Sequence, residues 1–460
     1  MLALCCAGGF GAGDDPIKNR MLQTLADLAA SNGRGSPYRG PFDRGVHRNP
    51  PRFASSIECP EEIAPDYRLL LRDLTHFLIL DSADEGGGIY LATRTTTSPK
   101  MGPHRMAAKA EANVQGRDVY LVGSVPMASP QEVFETVSAA LGTKVKRIPD
   151  GETGDRGDWI TWLEPVFANN PAFEKSGKFF RVHATGTGRE RYTLKLGIAP
   201  KDVRFDSLLY ADIALKSYTE FKRLKDAGKI PSATKFQVDL VPAHSVIWLF
   251  LVDELHAPLD AIYNEAVKRE IDKIAADIPH HELAIQFDVA SAVFARLERN
   301  EASSYGRSKS EMQDAFSNIV IDLGNRVPSD IDLLYHLCYG DSNHRHVVEP
   351  TDMGDMVDFA NRVAKRISRP IQLIHMPVPR NRTDEAYFAP LKRLELRPET
   401  ELCLGLVHYT DGVAGSEKRL AIAKKFRAKF SIATECGFGR RDPTTIRDLL
   451  RIHSEIAELD

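Results

Sequence analysis

From residue 118 to the end of the chain, short apolar runs rich in β-branched residues recur between longer segments of helical period. No other feature constrains the fold as much, because repeated βα units build a parallel sheet with helices on its outside. Eight runs qualify as strands: 118–126, 144–152, 235–242, 282–289, 330–338, 370–377, 401–408 and 429–437. Helical periodicity falls on 130–142, 259–278, 352–367, 416–430 and 444–460. The spacing predicts an α/β fold, a (β/α)8 TIM barrel over residues 116–460. Residues 153–234 form its insertion after the second strand, with a hairpin at 179–198 and a helix around 207–227. An open, doubly wound sheet is the competing architecture. However, GSVPMASP after the first run is neither a G-x-G-x-x-G fingerprint nor a P-loop.

Residues 1–115 read differently. The stretch SNGRGSPYRGPFDRGVHRNPPR (31–52) is rich in Gly, Pro, Arg and Ser and shows little periodicity. Such a segment buries too little apolar area to offset its ordering entropy, so a mostly disordered extension is expected, interrupted by a helix at 60–80. Met101 and Met106 would serve equally well as starts. A net charge of −3 and the lack of any Lys/Arg run argue against a nucleic-acid partner. The longest apolar stretch, SVIWLFLV (245–252), falls short of the roughly 18 residues of a membrane span. MLALCCAGGFGAG lacks the basic lead of a secretory signal. Six irregularly spaced cysteines make no disulfide framework and suit a reducing compartment. A cytoplasmic protein is expected; no oligomeric state follows from the sequence.

Polar residues concentrate where the runs end. Gly123 and Ser124 fall at the end of the first run, and Asp150 and Glu152 close the second. Asp288 ends the fourth, His336 and Cys338 the fifth, His375 the sixth, His408 the seventh, and Glu435 and Cys436 the eighth. In a barrel of this kind, the carboxyl ends of the strands carry the active site. In an extended chain, residues two apart share a face, so His336 and Cys338 can reach one ion together. With Cys436 and one further ligand they make a candidate tetrahedral zinc site, which would hold a substrate thiol as the thiolate. Taken singly, the same residues also read as packed cysteines and a hydrogen-bonded histidine. Glu152 reads equally as a loop ion pair with Arg156, and Asp288 as a helix cap. His344 and His346 read as part of a solvated loop.

In order along the chain, GSVP (123–126), DGETGDRGDWITWL (150–163), IQFDV (285–289), HLCYGD (336–341), GLVH (405–408) and ECGFGRR (435–441) resemble the catalytic barrel of cobalamin-independent methionine synthase. They also resemble the wider superfamily that includes uroporphyrinogen decarboxylase. The resemblance covers about 118–460. It implies zinc-dependent methyl or alkyl transfer to a small thiol. His336, Cys338 and Cys436 then match three zinc ligands, and His375 stands where the family has a glutamate as fourth ligand. Ser124, Glu152 and Asp288 match positions that hold the amino-acid part of homocysteine, and His408 matches a proton-handling histidine. The expected partner is a small-molecule thiol or amino-acid-like substrate. A folate methyl donor is implied by the family alone; VDLVPAHSVIWLF (238–250) has no clear folate motif, and Trp248 offers a stacking surface. Two other readings of the same barrel remain. One is a metal-free, decarboxylase-type lyase whose Arg147, Arg156 and rim histidines bind a carboxylate; the other is a lapsed binding protein.

Overall fold

Seven strands run parallel in one curled sheet: β1 (Arg147–Pro149), β4 (Lys235–Leu240), β5 (Leu283–Val289), β6 (Asp332–Leu337), β7 (Leu373–Pro377), β8 (Glu401–Val407) and β9 (Ser431–Thr434), neighbouring in that order. A separate antiparallel hairpin pairs β2 (Phe173–Phe180) with β3 (Arg189–Leu194). The computed structural model describes residues 116–181, 188–340 and 345–459, within a compact unit spanning Lys109–Asp460. The expectations for 1–115, namely the extension, its helix and its alternative starts, lie outside the described residues. So does His344.

Eleven helices are found among the described residues: α1 (Pro130–Leu141), α2 (Glu164–Ala168), α3 (Tyr210–Asp226), α4 (Ala243–Phe250), α5 (His256–Asp277), α6 (Ser291–Arg299), α7 (Lys309–Arg326), α8 (Gly354–Arg366), α9 (Glu385–Phe388), α10 (Gly412–Ala423) and α11 (Ile446–Ala457). Local chemistry starts two of them. Ser129 accepts from the Glu132 amide ahead of Pro130 at the first turn of α1. A full capping box between Ser308 and Glu311 opens α7. The helices α4, α6 and α7 fall in stretches for which the sequence suggested no helix. In α4 the run AHSVIWLF is buried nearly all round, which hides the period of an amphipathic helix.

The expected first strand, 118–126, is the main departure from the predicted barrel. Only Val119 makes ladder contacts, as single parallel bridges to Val145 on one side and Ile432 on the other. The amide of Val119 bonds Lys144 O at 2.8 Å, and Tyr120 N bonds Ile432 O at 2.8 Å. The sheet is thus a curled half-barrel of seven strands and not the closed eight-stranded barrel expected; Val119 makes only single bridges near its two edges. Beyond Val122 the chain turns away to follow its bonds with the Phe438–Gly439 backbone.

Alternation along each strand sorts its side chains. Ala284, Leu334, Leu373, Cys403 and Ala433 meet Tyr120 and Val122 in an inner apolar layer. Ile285, Phe287, Leu333, Tyr335 and Ile374 join the larger core beneath the helices. Further along the inward-facing series come His336 and His375, two residues past Leu334 and Leu373, and on β5 Gln286 and then Asp288, so the inner face turns polar towards the carboxyl rim. At the opposite end, Asp332 bonds Arg147 Nε at 2.7 Å and Lys235 Nζ at 2.7 Å, joining β1, β4 and β6.

Candidate metal and substrate site

The ligand atoms of His336, Cys338 and Cys436 all lie within 4.8 Å of one another. Cys338 sits one residue past β6, and Cys436 two residues past β9. Their sulfurs stand 3.8 Å apart. A disulfide would need about 2.05 Å. Two thiolates each about 2.3 Å from one zinc ion at a tetrahedral angle stand roughly 3.8 Å apart. The pair therefore fits a shared metal ion and does not fit a disulfide. Gly340 N points at the Cys338 sulfur from 3.2 Å, and Arg440 Nη2 at the Cys436 sulfur from 3.5 Å. Cys436 is held well below the usual thiol range, first by the hydrogen bond from Cys338, against its burial, with His336 and Arg440 adding to the effect.

His375 is not a member of that group. The strand register sets it beside His336, and both its nitrogens are engaged: Nδ1 with His336 Nδ1 at 2.8 Å and Nε2 with Thr434 O at 3.0 Å. Burial holds its pKa well below the imidazole range.

Next to the sulfurs opens a cavity of about 1360 Å³, lined in part by Ser124, Glu152, Trp159, Asp239, Trp248 and Asp288. Asp239 was not singled out in the sequence, although a signal was present. FQVDL on β4 and IQFDV on β5 repeat one Gln-x-Asp pattern, and in each the glutamine amide donates to the aspartate two residues on, at 2.9 Å and 2.7 Å. Burial and then repulsion from Asp288 push Glu152 up to about 8. Burial raises Asp288 to about 6, with the His336 ring opposing the rise. Burial, with Asp288 and Glu152 facing it, holds Asp239 well above the carboxylate range. Three carboxylates share one pocket, and burial is the first cause that raises each of them.

Glu152 makes no ion pair with Arg156, which bonds Asp150 at 2.7 Å instead. Asp288 caps no helix: α6 begins three residues later without a side-chain cap. Ser124 is buried, and its hydroxyl accepts from Gly439 N at 3.1 Å. Trp248, on α4, packs edge-on against Phe180 of the hairpin, with ring centroids 4.5 Å apart.

His408 lies elsewhere. It lines a second cavity of about 430 Å³ that touches the first at Cys338, Gly340 and Cys436. His408 Nε2 bonds Val378 O at 2.8 Å, and its Nδ1 stands 3.6 Å from Glu435. The other oxygen of Glu435 takes His346 Nε2 at 3.0 Å, and Glu349 takes His346 Nδ1 at 3.1 Å. Burial works against the charged ring, but these two carboxylates hold His346 up at about 9. The expectation of a solvated loop fails for His346, because two acids anchor it.

No protein-family model matches the chain, and no curated protein matches it in sequence. Solved structures do. A B12-independent methionine synthase from Shewanella sp. W3-18-1, in complex with selenomethionine, superposes with a TM-score of 0.51 at 14% identity, covering 75% of this chain and 97% of that one. A Listeria monocytogenes protein described as a vitamin-B12-independent methionine synthase gives 0.48 at 13% identity, covering 73% and 95%. The first likeness shows a shared fold. Among the described residues, no helix is long and apolar enough to cross a membrane.

Proposed function

We propose that this protein is an enzyme that transfers a methyl or other alkyl group to or from a small, amino-acid-like thiol, with His336, Cys338 and Cys436 holding a zinc ion. The observation that carries this reading is the 3.8 Å sulfur separation, reached by two cysteines 98 positions apart, with an imidazole inside the same reach. Zinc bound there would supply a Lewis acid that keeps a substrate thiol ionised at neutral pH.

The chain's own residues account for the rest. Glu152, Asp239 and Asp288 face the cavity as a set that gains most from a cationic partner, so an ammonium group on the substrate would ionise them and be held by charge-assisted bonds. Ser124 and Trp248 line the same space and help to orient the substrate. His408, poised on Glu435 beside the sulfurs, is suited to moving a proton on the side away from the carboxylates. Of the groups that the metal-free lyase reading would use, Arg147 is tied to Asp332 at the far end of the strands and Arg156 to Asp150, which leaves that reading the rim histidines. The alkyl donor, including a folate, is left to the cavity's remaining volume.

Elemental analysis of the purified full-length chain tests the reading. About one zinc per chain is expected, lost in Cys338→Ser and in Cys436→Ser. A metal-free protein with intact fold would sink it.

A further inference from the structure

We propose, building on the metal-site reading above, that His375 is a positioning residue that keeps the metal-facing nitrogen of His336 as an open lone pair, and that it is not itself a ligand, so that three of the described residues hold the metal. The argument follows hydrogen-bond valences across three strands. A backbone carbonyl only accepts, so His375 Nε2, 3.0 Å from Thr434 O, carries a hydrogen. The ring is fully buried, and its hydrogen bonds go to that carbonyl and to another imidazole. An imidazolium there would be a buried charge with no counter-ion in hydrogen-bond contact. His375 is therefore neutral, and its Nδ1 is a bare acceptor. His336 Nδ1, 2.8 Å away, must donate to it. A neutral imidazole has one ring hydrogen, so on a neutral His336 that hydrogen sits at Nδ1 and Nε2, the nitrogen that remains for the two sulfurs, is the one a metal ion would take.

The neighbouring strand is built to allow this. A Cβ at Gly405 would lie 2.7 Å from His375 Nε2 and 2.7 Å from Thr434 O. Only glycine on β8 lets the ring reach across to β9. The arrangement also fixes the charge of the site. Two thiolates and one neutral imidazole balance a divalent cation to zero, and among the described residues none is grouped with them to fill the remaining position. A soft anion such as a thiolate suits it.

Long-range 1H–15N correlation on the full-length, metal-free chain, labelled at histidine and held at about pH 9, above the imidazole range, reports which ring nitrogen carries each hydrogen. His336 is expected as the Nδ1–H form and His375 as the Nε2–H form, each assigned by its loss in His336→Gln or His375→Gln. An Nε2–H form at His336 overturns the proposal. As a second measurement, His375→Phe should weaken zinc binding about 10- to 100-fold in chelator competition, with one-per-chain stoichiometry kept. The cobalt-substituted variant should keep the same ligand-field spectrum as the parent; a spectrum showing one nitrogen ligand fewer would make His375 a ligand and overturn the proposal. A chain that keeps both tautomers but binds no zinc sinks the metal reading and leaves the His375 assignment standing.

Discussion

Strands β4 and β5 end in carboxylates while β6 and β7 end in imidazoles, although all four belong to the same parallel ladder. On the carboxylate half, Asp239 and Asp288 each receive one glutamine amide, Asp288 is also hydrogen-bonded by Trp159, and with Glu152 they raise one another's pKa. On the imidazole half, His336 and His375 bond each other, and His375 is bonded onward to a carbonyl. One half is electrostatically unsettled and gains when a cation arrives. The other is fixed in advance. This teaches that the rim is not a uniform polar collar: charge is held in reserve on one side, and geometry is set on the other.

The strongest way to break that contrast is to remove a sulfur. Cys436→Ser should abolish stoichiometric zinc binding, a larger loss than the roughly 10- to 100-fold expected for removing a hydrogen-bonding neighbour. The variant should still bind an amino-acid-like ligand at the carboxylates, as calorimetry would report. If both functions vanished together, the two halves would be one unit.

Removing one carboxylate is the complementary test. A hydrogen bond to a charged group is worth about 1.5–3 kcal/mol, so Asp288→Asn should weaken an α-amino thiol by roughly 10- to 150-fold. The same thiol without its ammonium group should be affected little, and zinc content should not change. Equal losses for both ligands would remove the carboxylates from recognition.

A smaller effect follows from pH. Glu152 keeps its proton up to about 8 in the folded chain, whereas an unfolded glutamate releases it near about 4.3. Between those values the folded state holds more protons than the unfolded, so stability falls as pH rises through the window. Urea titrations of the metal-free, ligand-free chain at about pH 5 to 8 should show that decline, and Glu152→Gln should make it shallower, with Asp239 and Asp288 supplying the rest. An identical slope in the variant would mean that Glu152 already finds a cation. The least effect is expected at Trp248. Aromatic contacts of this kind contribute about 0.5–1.5 kcal/mol beyond area, so Trp248→Ala should raise KM by a factor of about 2 to 10, with zinc binding intact.

Much of this could be read from the sequence because period and position are local properties. Seven of the expected strands were placed by their β-branched runs, and His336, Cys338 and Cys436 were singled out because they fall where such runs stop. What escaped depends on neighbours far along the chain. His375 looks like a ligand from its own strand, and only the register with β6 and the reach to Thr434 reveal where its nitrogens go. The polar setting of SNHRHVVEP suggests a loop in water, and nothing local announces that Glu435, 89 residues on, holds His346. Asp239 was within reach of sequence reasoning, had the two Gln-x-Asp runs been compared. The reduced first strand was not, since DVYLVGSVP has the composition of a full one. Its tail is drawn off by the backbone around Phe438.

That last contact has a mechanical side. Ser124 presents its hydroxyl to the wall of the large cavity, and through its main chain and Oγ it clasps Phe438 and Gly439, only two and three positions past Cys436. Side chains at Gly437 and Gly439 would run into it, at 2.3 Å and 2.8 Å, so there is no slack in the clasp. The wall of the pocket and the tether of the second sulfur are thus one continuous piece of backbone contact.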